Sequence, residues 1–139
     1  MRSVTSPGGD TFITSGDSCS YHAQGADKAL KNKDYKAARA GYDKAIKWTK
    51  ETCGATIDDF QLFENYKGRA RASAGLGDHV AAARDIALLL TGGTFAGQRL
   101  TRDFVWMTQA LDGAIKKQPN NASFYGARAG IREARATDF

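Results

Sequence analysis

The chain of 139 residues has few prolines, which break helices, and few histidines and cysteines, which occur in many catalytic sites. It contains two prolines, two histidines and two cysteines, and Pro119 is the only proline after residue 18. No apolar run approaches the roughly 18 residues that a membrane-spanning helix needs, so we expect no membrane span. The sequence has no G-x-S-x-G, no phosphate-binding glycine loop and no dinucleotide fingerprint. We therefore expect a protein that is not an enzyme and has no cofactor.

The charge is mildly positive. Twenty Lys and Arg against fifteen Asp and Glu give a formal net charge of +5. Acidic residues are interspersed among the basic ones, which favours solvated helix faces over a surface for an anionic partner. The sequence lacks an aromatic-rich strand pattern, zinc-ligand spacing and a recognition helix, so we do not expect nucleic acid as a partner.

Two segments differ in composition. Residues 1–18 are rich in Ser, Thr, Gly and Asp, which predicts a flexible leader. This segment has no apolar core of a secretory signal, so an exported protein would already have lost its signal. Residues 19–139 have the size of one domain.

The second segment is predicted to be helical throughout. No run alternates with period two for long enough to predict a strand, which makes the fold class all-α. Glycine, asparagine and proline at Gly77, Gly92–Gly93 and Pro119–Asn120 separate the helical patterns. The six predicted helices cover residues 19–32, 35–50, 58–75, 79–90, 101–117 and 121–136.

Two of the predicted helix pairs repeat one another. Small or apolar residues follow Tyr35 at intervals of three, four and three, and the same intervals follow His79. Small residues in such a row let neighbouring helices approach closely. The same register places Arg69 opposite Asp85 and predicts an ion pair. The matched positions are Tyr35, Ala38, Tyr42 and Ala45 in the first pair and His79, Ala82, Ile86 and Leu89 in the second. In a partial third copy, Tyr125, Arg128 and Ala129 match Tyr66, Arg69 and Ala70.

The first pair contains Ala26, Asp34, Tyr35, Ala38, Tyr42 and Ala45, and the second contains Ala70, Asp78 and Ala82. With these residues the chain resembles the tetratricopeptide repeat (TPR) family. Two hairpins fit well and a third fits in part, although 44 residues separate Tyr35 from His79 where the family usually repeats every ~34. The resemblance implies an α-solenoid of antiparallel hairpins over residues 19–139.

The resemblance also implies a groove, lined by the first helix of each repeat, that binds a protein or peptide. The basic clamp that some members use for an acidic C-terminal peptide is not reproduced, because Ala23 and Asp27 occupy two of its positions. Carried over by register, the groove residues are Gln24, Asp27, Lys31, Lys67, Arg71, Gly126 and Gly130.

The two cysteines are predicted to lie at one end of the first hairpin. Cys19 opens the first predicted helix and Cys53 follows the second, and the two antiparallel legs are similar in length. A disulfide is the favoured interpretation, and two free thiols or a metal site that includes His22 are the alternatives. A disulfide would indicate an oxidising compartment, hence a periplasmic or exported bacterial protein, with a cytoplasmic protein as the alternative.

These patterns favour a non-enzymatic scaffold or adaptor that binds a partner protein or peptide through a TPR-like groove. The alternative is a cell-envelope accessory protein or a small-molecule carrier with a helical cavity. The last helix ends where a further helix would begin, so we also expect a homo-oligomer formed through the C-terminal helix.

Overall fold

The computed structural model describes residues 2–5, 9–15, 18–57, 59–91 and 101–137. Within these ranges the chain forms six α-helices and one three-stranded antiparallel sheet, so the predicted all-α class is confirmed. The helices are α1 (Gln24–Lys31), α2 (Tyr35–Cys53), α3 (Phe60–Gly75), α4 (His79–Leu90), α5 (Phe104–Lys117), which a 3-10 turn (Thr101–Asp103) precedes, and α6 (Ala122–Thr137).

The helices form two layers. Each helix packs against the next one in the chain, α1 and α5 also contact α3, and α4 contacts α6. The first helices of the three pairs, α1, α3 and α5, therefore lie side by side, and α2, α4 and α6 form the other layer. None of the helices that the structure describes is long and apolar enough to cross a bilayer.

The turns of the first two pairs are built alike. Asp34 and Asp78 are the N-caps of α2 and α4, and each carboxylate accepts a hydrogen bond of 3.3 Å from the backbone N–H three residues later. The residues that follow also have equivalent neighbours, since the Tyr35 ring packs on Gly75 and the His79 ring packs on Gly113. The two positions matched in the sequence thus have matching surroundings.

Small residues bring α1 and α2 together. Ala38 and Ala45 are completely buried, and a Cβ added at Gly41 would lie 2.8 Å from the Cβ of Ala26. No larger side chain fits between the two backbones without moving one of them. This close approach is the physical reason for the small residues in α2.

The prediction that the chain contains no strand is wrong. Strands β1 (Arg2–Thr5), β2 (Thr11–Ser15) and β3 (Ser18–His22) form a sheet in the order β1-β2-β3. A helix was expected from residue 19, but α1 begins only at Gln24. β1 and β2 lie in the predicted leader, and β3 crosses the predicted boundary between residues 18 and 19.

Aromatic packing holds the sheet on the helices. Phe12 and Tyr21 are paired across β2 and β3, and their ring centroids are 4.4 Å apart. Both rings also contact Trp48 of α2, with centroids at 5.5 and 5.7 Å. In addition, the buried amide of Asn65 in α3 donates a hydrogen bond of 2.9 Å to the carbonyl of Tyr21. Burying these rings explains why a short, polar-looking segment forms strands.

Asp10, the residue before β2, caps α1. The helix's own N-cap residue, Ala23, has no side-chain acceptor, and the Asp10 carboxylate instead accepts hydrogen bonds of 2.8 Å from Gly25 N–H and from the Tyr21 hydroxyl. Burial of the Tyr21 phenol, and to a smaller extent its hydrogen bond to Asp10, raise its pKa above the ordinary value of 10.0. Tyr21 therefore stays neutral and donates.

The predicted disulfide between Cys19 and Cys53 is confirmed. Its setting differs from the expectation, because Cys19 lies in β3 and not at the start of a helix. Cys53 is the last residue of α2, which Gly54 ends with a left-handed conformation at φ 59°. The bond thus joins the sheet to the end of α2, and neither cysteine is free.

The partial third copy is not buried in the same way as the segment of α3 that it matches. Tyr66 and Ala70 of α3 are buried, but their proposed counterparts Tyr125 and Ala129 of α6 are exposed. The buried stripe of α6 consists instead of Phe124, Ala127 and Ile131. The sequence match therefore places the wrong face of α6 against the core.

Candidate partner-binding groove

One face of α3 presents a row of accessible side chains. Phe60, Glu64, Lys67 and Arg71 follow one another at intervals of four, three and four, which places them on one side of the helix. Phe60 is 58% exposed although it is a large apolar residue. At 1.5 Å of rise per residue, the row is about 16 Å long.

Two adjoining cavities lie between this row and α1. Their volumes are about 380 and 350 Å³, and both are lined by Asp27, Leu30 and Tyr42. The first also includes Arg71, and the second includes Phe60. Because they share three lining residues, the cavities form one continuous depression, which we call the α1–α3 groove.

Tyr42 of α2 forms the floor of the groove. Its residue surface is only 2% exposed, and its ring packs directly on Gly68 of α3. The hydroxyl donates a hydrogen bond to the Asp27 carboxylate of α1. Burial has the larger effect and this hydrogen bond the smaller, and both raise the pKa of Tyr42 above its ordinary value of 10.0. The phenol therefore stays neutral. The floor therefore links α1, α2 and α3.

The start of α5 borders the other side of the α3 row. Lys67 Nζ lies 3.6 Å from Asp103 and 3.4 Å from Glu64. Trp106 donates a hydrogen bond of 2.8 Å from Nε1 to Asp103. The Arg71 guanidinium lies over the Trp106 ring at 5.1 Å from its centroid. The α3 row is thus held between α1 and α5.

Charge is unevenly distributed along the groove. At the Phe60 end, Lys67 is paired with two carboxylates. At the other end, Lys31, Lys33 and Arg71 line the first cavity, and none of them has a carboxylate of the described part of the chain within ion-pair distance. Asp27 is the one carboxylate among the described residues that line this cavity. This end carries a local excess of positive charge.

Four of the seven predicted groove residues meet in the α1–α3 groove: Asp27, Lys31, Lys67 and Arg71. Gln24 lies at the start of α1, where its side-chain oxygen accepts a hydrogen bond from Thr11 N–H. Gly126 and Gly130 lie on α6 and line neither cavity, and a Cβ added at either would meet nothing within 4 Å.

The register did not predict eight of the lining residues: Leu30, Lys33, Tyr35, Tyr42, Phe60, Gln61, Glu64 and Gly68. A signal for two of them was present, because Phe60 and Glu64 continue the spacing of Lys67 and Arg71 towards the start of α3.

A second charged depression lies on the opposite layer, between α2 and α4. Its volume is about 400 Å³, and Arg39, Arg69 and Arg84 line it with Asp43 and Asp85. Arg69 is bonded to Asp85 at 2.8 and 2.9 Å and to Asp43 at 3.0 Å. These bonds, above all those to Asp85, raise its pKa. The predicted Arg69–Asp85 ion pair is therefore present, and its charges are used within the fold.

The histidines take part in packing and local hydrogen bonding. His22 Nε2 lies 3.1 Å from the Ser20 hydroxyl, and the His79 ring lies against Gly113. No cluster of three or more His, Cys, Asp or Glu side chains suited to a metal ion occurs in the described ranges.

No protein-family model matches the chain, and comparisons with curated proteins and with solved structures find no match either.

Proposed function

We propose that this protein is a non-enzymatic scaffold or adaptor that binds an extended segment of a partner protein in the α1–α3 groove. The observation that carries the proposal is the continuous depression of two cavities over Tyr42, with an exposed Phe60 at one end and, at the other, three cations that pair with none of the described carboxylates. An apolar anchor beside polar groups is the usual composition of a peptide-binding surface.

The arrangement of the helices supports a TPR-like solenoid as the setting of this groove. The first helices of the three pairs lie side by side, and the turns before α2 and α4 have the same caps and the same close packing on a glycine. In such an array the first helices line the binding surface. The face of α6 that carries exposed Tyr125 is the proposed contact with a second copy of the chain.

The Cys19–Cys53 bond supports a periplasmic or exported location in a bacterium, because disulfides persist mainly in oxidising compartments. A cytoplasmic protein remains the alternative, and the bond would then be reduced there.

A carrier of small molecules is the second candidate function. Such a carrier would need an enclosed apolar pocket. Both cavities of the α1–α3 groove are instead bordered by charged side chains such as Asp27, Lys31 and Lys67. These charges favour a peptide, whose backbone and side chains offer polar partners along its whole length.

Selection from a random peptide library tests the proposal. Phage-displayed peptides are selected on immobilised, unreduced protein, and the affinity of the enriched peptides is then measured for two variants. Phe60→Ala removes the exposed side chain in the groove, and Leu88→Ala removes an exposed apolar side chain of α4, which lines neither cavity, as the matched control. We expect roughly tenfold weaker binding to the first variant and no change with the second. Failure to enrich any peptide, or equal effects of both variants, would contradict the proposal.

A further inference from the structure

We propose that the segment bound in the α1–α3 groove is acidic at the end that lies over Lys31, Lys33 and Arg71. This inference rests on the proposed function and adds the chemistry of the partner. The three cations belong to three different elements, the end of α1, the turn before α2 and the last third of α3, and they line one cavity. The one carboxylate described there, Asp27, already accepts a hydrogen bond from Tyr42.

Lys33 occupies a backbone conformation that lysine rarely adopts. Its φ is 61°, and it is the one non-glycine residue with positive φ in the described ranges. The turn before α4 has the same hydrogen bonds and places Gly77 at the equivalent position, with φ 78°. Glycine adopts this conformation without steric cost. The fold therefore accepts an unfavourable conformation at Lys33, and the lysine places a positive charge in the groove.

Arg71 packs on an aromatic ring, and none of the carboxylates in the described ranges forms an ion pair with it. Its guanidinium lies 5.1 Å from the centroid of Trp106, whereas Lys67 and Arg69 of the same helix are each paired with two carboxylates. A guanidinium that is oriented by stacking keeps its N–H donors available to a ligand. Arg71 is therefore suited to bind a carboxylate from outside the chain.

The other end of the groove decides between a peptide and another polyanion. A nucleic acid would need cations along the whole groove. Phe60 and Glu64 line the far end, and Lys67 there is neutralised. The length of about 16 Å corresponds to about five residues of extended chain. The geometry therefore points to a short peptide segment with acidic residues about five positions from an apolar one.

A charge-reversal selection tests this inference. Random peptides displayed on phage are selected on the unreduced wild-type protein, on Lys33→Glu/Arg71→Glu, and on Lys44→Glu/Lys47→Glu. The last variant makes the same change in net charge with exposed lysines of α2 that line neither cavity. We expect Asp and Glu to be enriched on the wild type and on the control. The groove variant should lose that enrichment and select Lys or Arg, and it should bind a wild-type-selected acidic peptide at least tenfold more weakly.

Enriched peptides without acidic residues, or equal weakening by the two double variants, would overturn the inference. If such neutral peptides still depended on Phe60, the proposed function would stand, and if no peptide were enriched, both would fail. Lys33→Gly provides a test that does not depend on charge reversal. We expect it to raise thermal stability, because glycine suits φ 61°, and to weaken acidic-peptide binding two- to fivefold. Unchanged binding by this variant would also overturn the inference.

Discussion

Replacing Gly68 by alanine should damage both the fold and the groove. A Cβ at this position would lie 2.3 Å from Cζ of Tyr42 and 2.6 Å from both Cε atoms. The ring has nowhere to move, because Tyr42 is buried and its hydroxyl is bonded to Asp27. Overpacking costs about 1 to 3 kcal/mol, and the loss of a hydrogen bond to a charged group costs a further 1.5 to 3, approximately. The better helix propensity of alanine returns about 1 kcal/mol.

We therefore expect Gly68→Ala to lower the free energy of unfolding by about 1.5 to 5 kcal/mol, measured by urea denaturation followed by circular dichroism. Gly126→Ala is the matched control, since this glycine also lies within a helix but a Cβ there meets nothing within 4 Å. The control should gain about 0.5 to 1 kcal/mol. If Gly68→Ala were as stable as the control, the packing of Tyr42 on α3 would be refuted.

Three further changes test other parts of the fold. Above about pH 10 the unfolded state loses the phenolic proton of Tyr42 before the folded state does, so the free energy of unfolding should fall there. In Tyr42→Phe this fall should be less steep by about 1.4 kcal/mol per pH unit. Equal slopes for the two proteins in urea titrations would contradict this expectation. Replacing both Cys19 and Cys53 by serine should cost about 3 to 4 kcal/mol, and two reactive thiols in the folded, unreduced protein would contradict the bond. Arg69→Leu leaves buried Asp85 without its main partner and should lower the free energy of unfolding by about 2 to 3 kcal/mol. Additional replacement of Asp85 by leucine should restore most of this loss. A loss below about 0.5 kcal/mol for Arg69→Leu in thermal unfolding would show that the pair is dispensable.

The helices could be predicted because their signals are local. The acidic caps Asp34 and Asp78 and the spacing of small residues after Tyr35 and His79 mark where α2 and α4 begin and which face they bury. The same register predicted the Arg69–Asp85 pair. The caps and the buried faces depend on residues three or four positions apart, so periodicity is enough to find them. The ion pair joins residues 16 positions apart and followed because the register of the hairpin sets α3 against α4.

The sheet could not be predicted because its stability comes from distant residues. Its strands have only four or five residues, and they owe their position to the packing of Phe12 and Tyr21 on Trp48 and to the hydrogen bond from Asn65. Period-two patterns of this length are too short to be recognised. The role of Asp10 as the cap of α1 is likewise invisible, because it lies outside the helix.

Four of the twelve described residues that line the two cavities were predicted from the register, and eight were not. Asp27, Lys31, Lys67 and Arg71 were found because first helices supply the lining. Lys33 was missed because it lies in a turn. Gly126 and Gly130 were assigned from a match of three residue types, and such a match does not determine which face of α6 is buried.

Amide chemical-shift mapping can show whether an acidic peptide binds to the surface formed by α1 and α3. A selected peptide is titrated into isotope-labelled, unreduced protein. We expect the largest shifts at Asp27, Lys33, Gly68 and Arg71, which line the groove. Shifts centred on Arg84 in the opposite depression or on Gly126 and Gly130 of α6, with none in the groove, would contradict it.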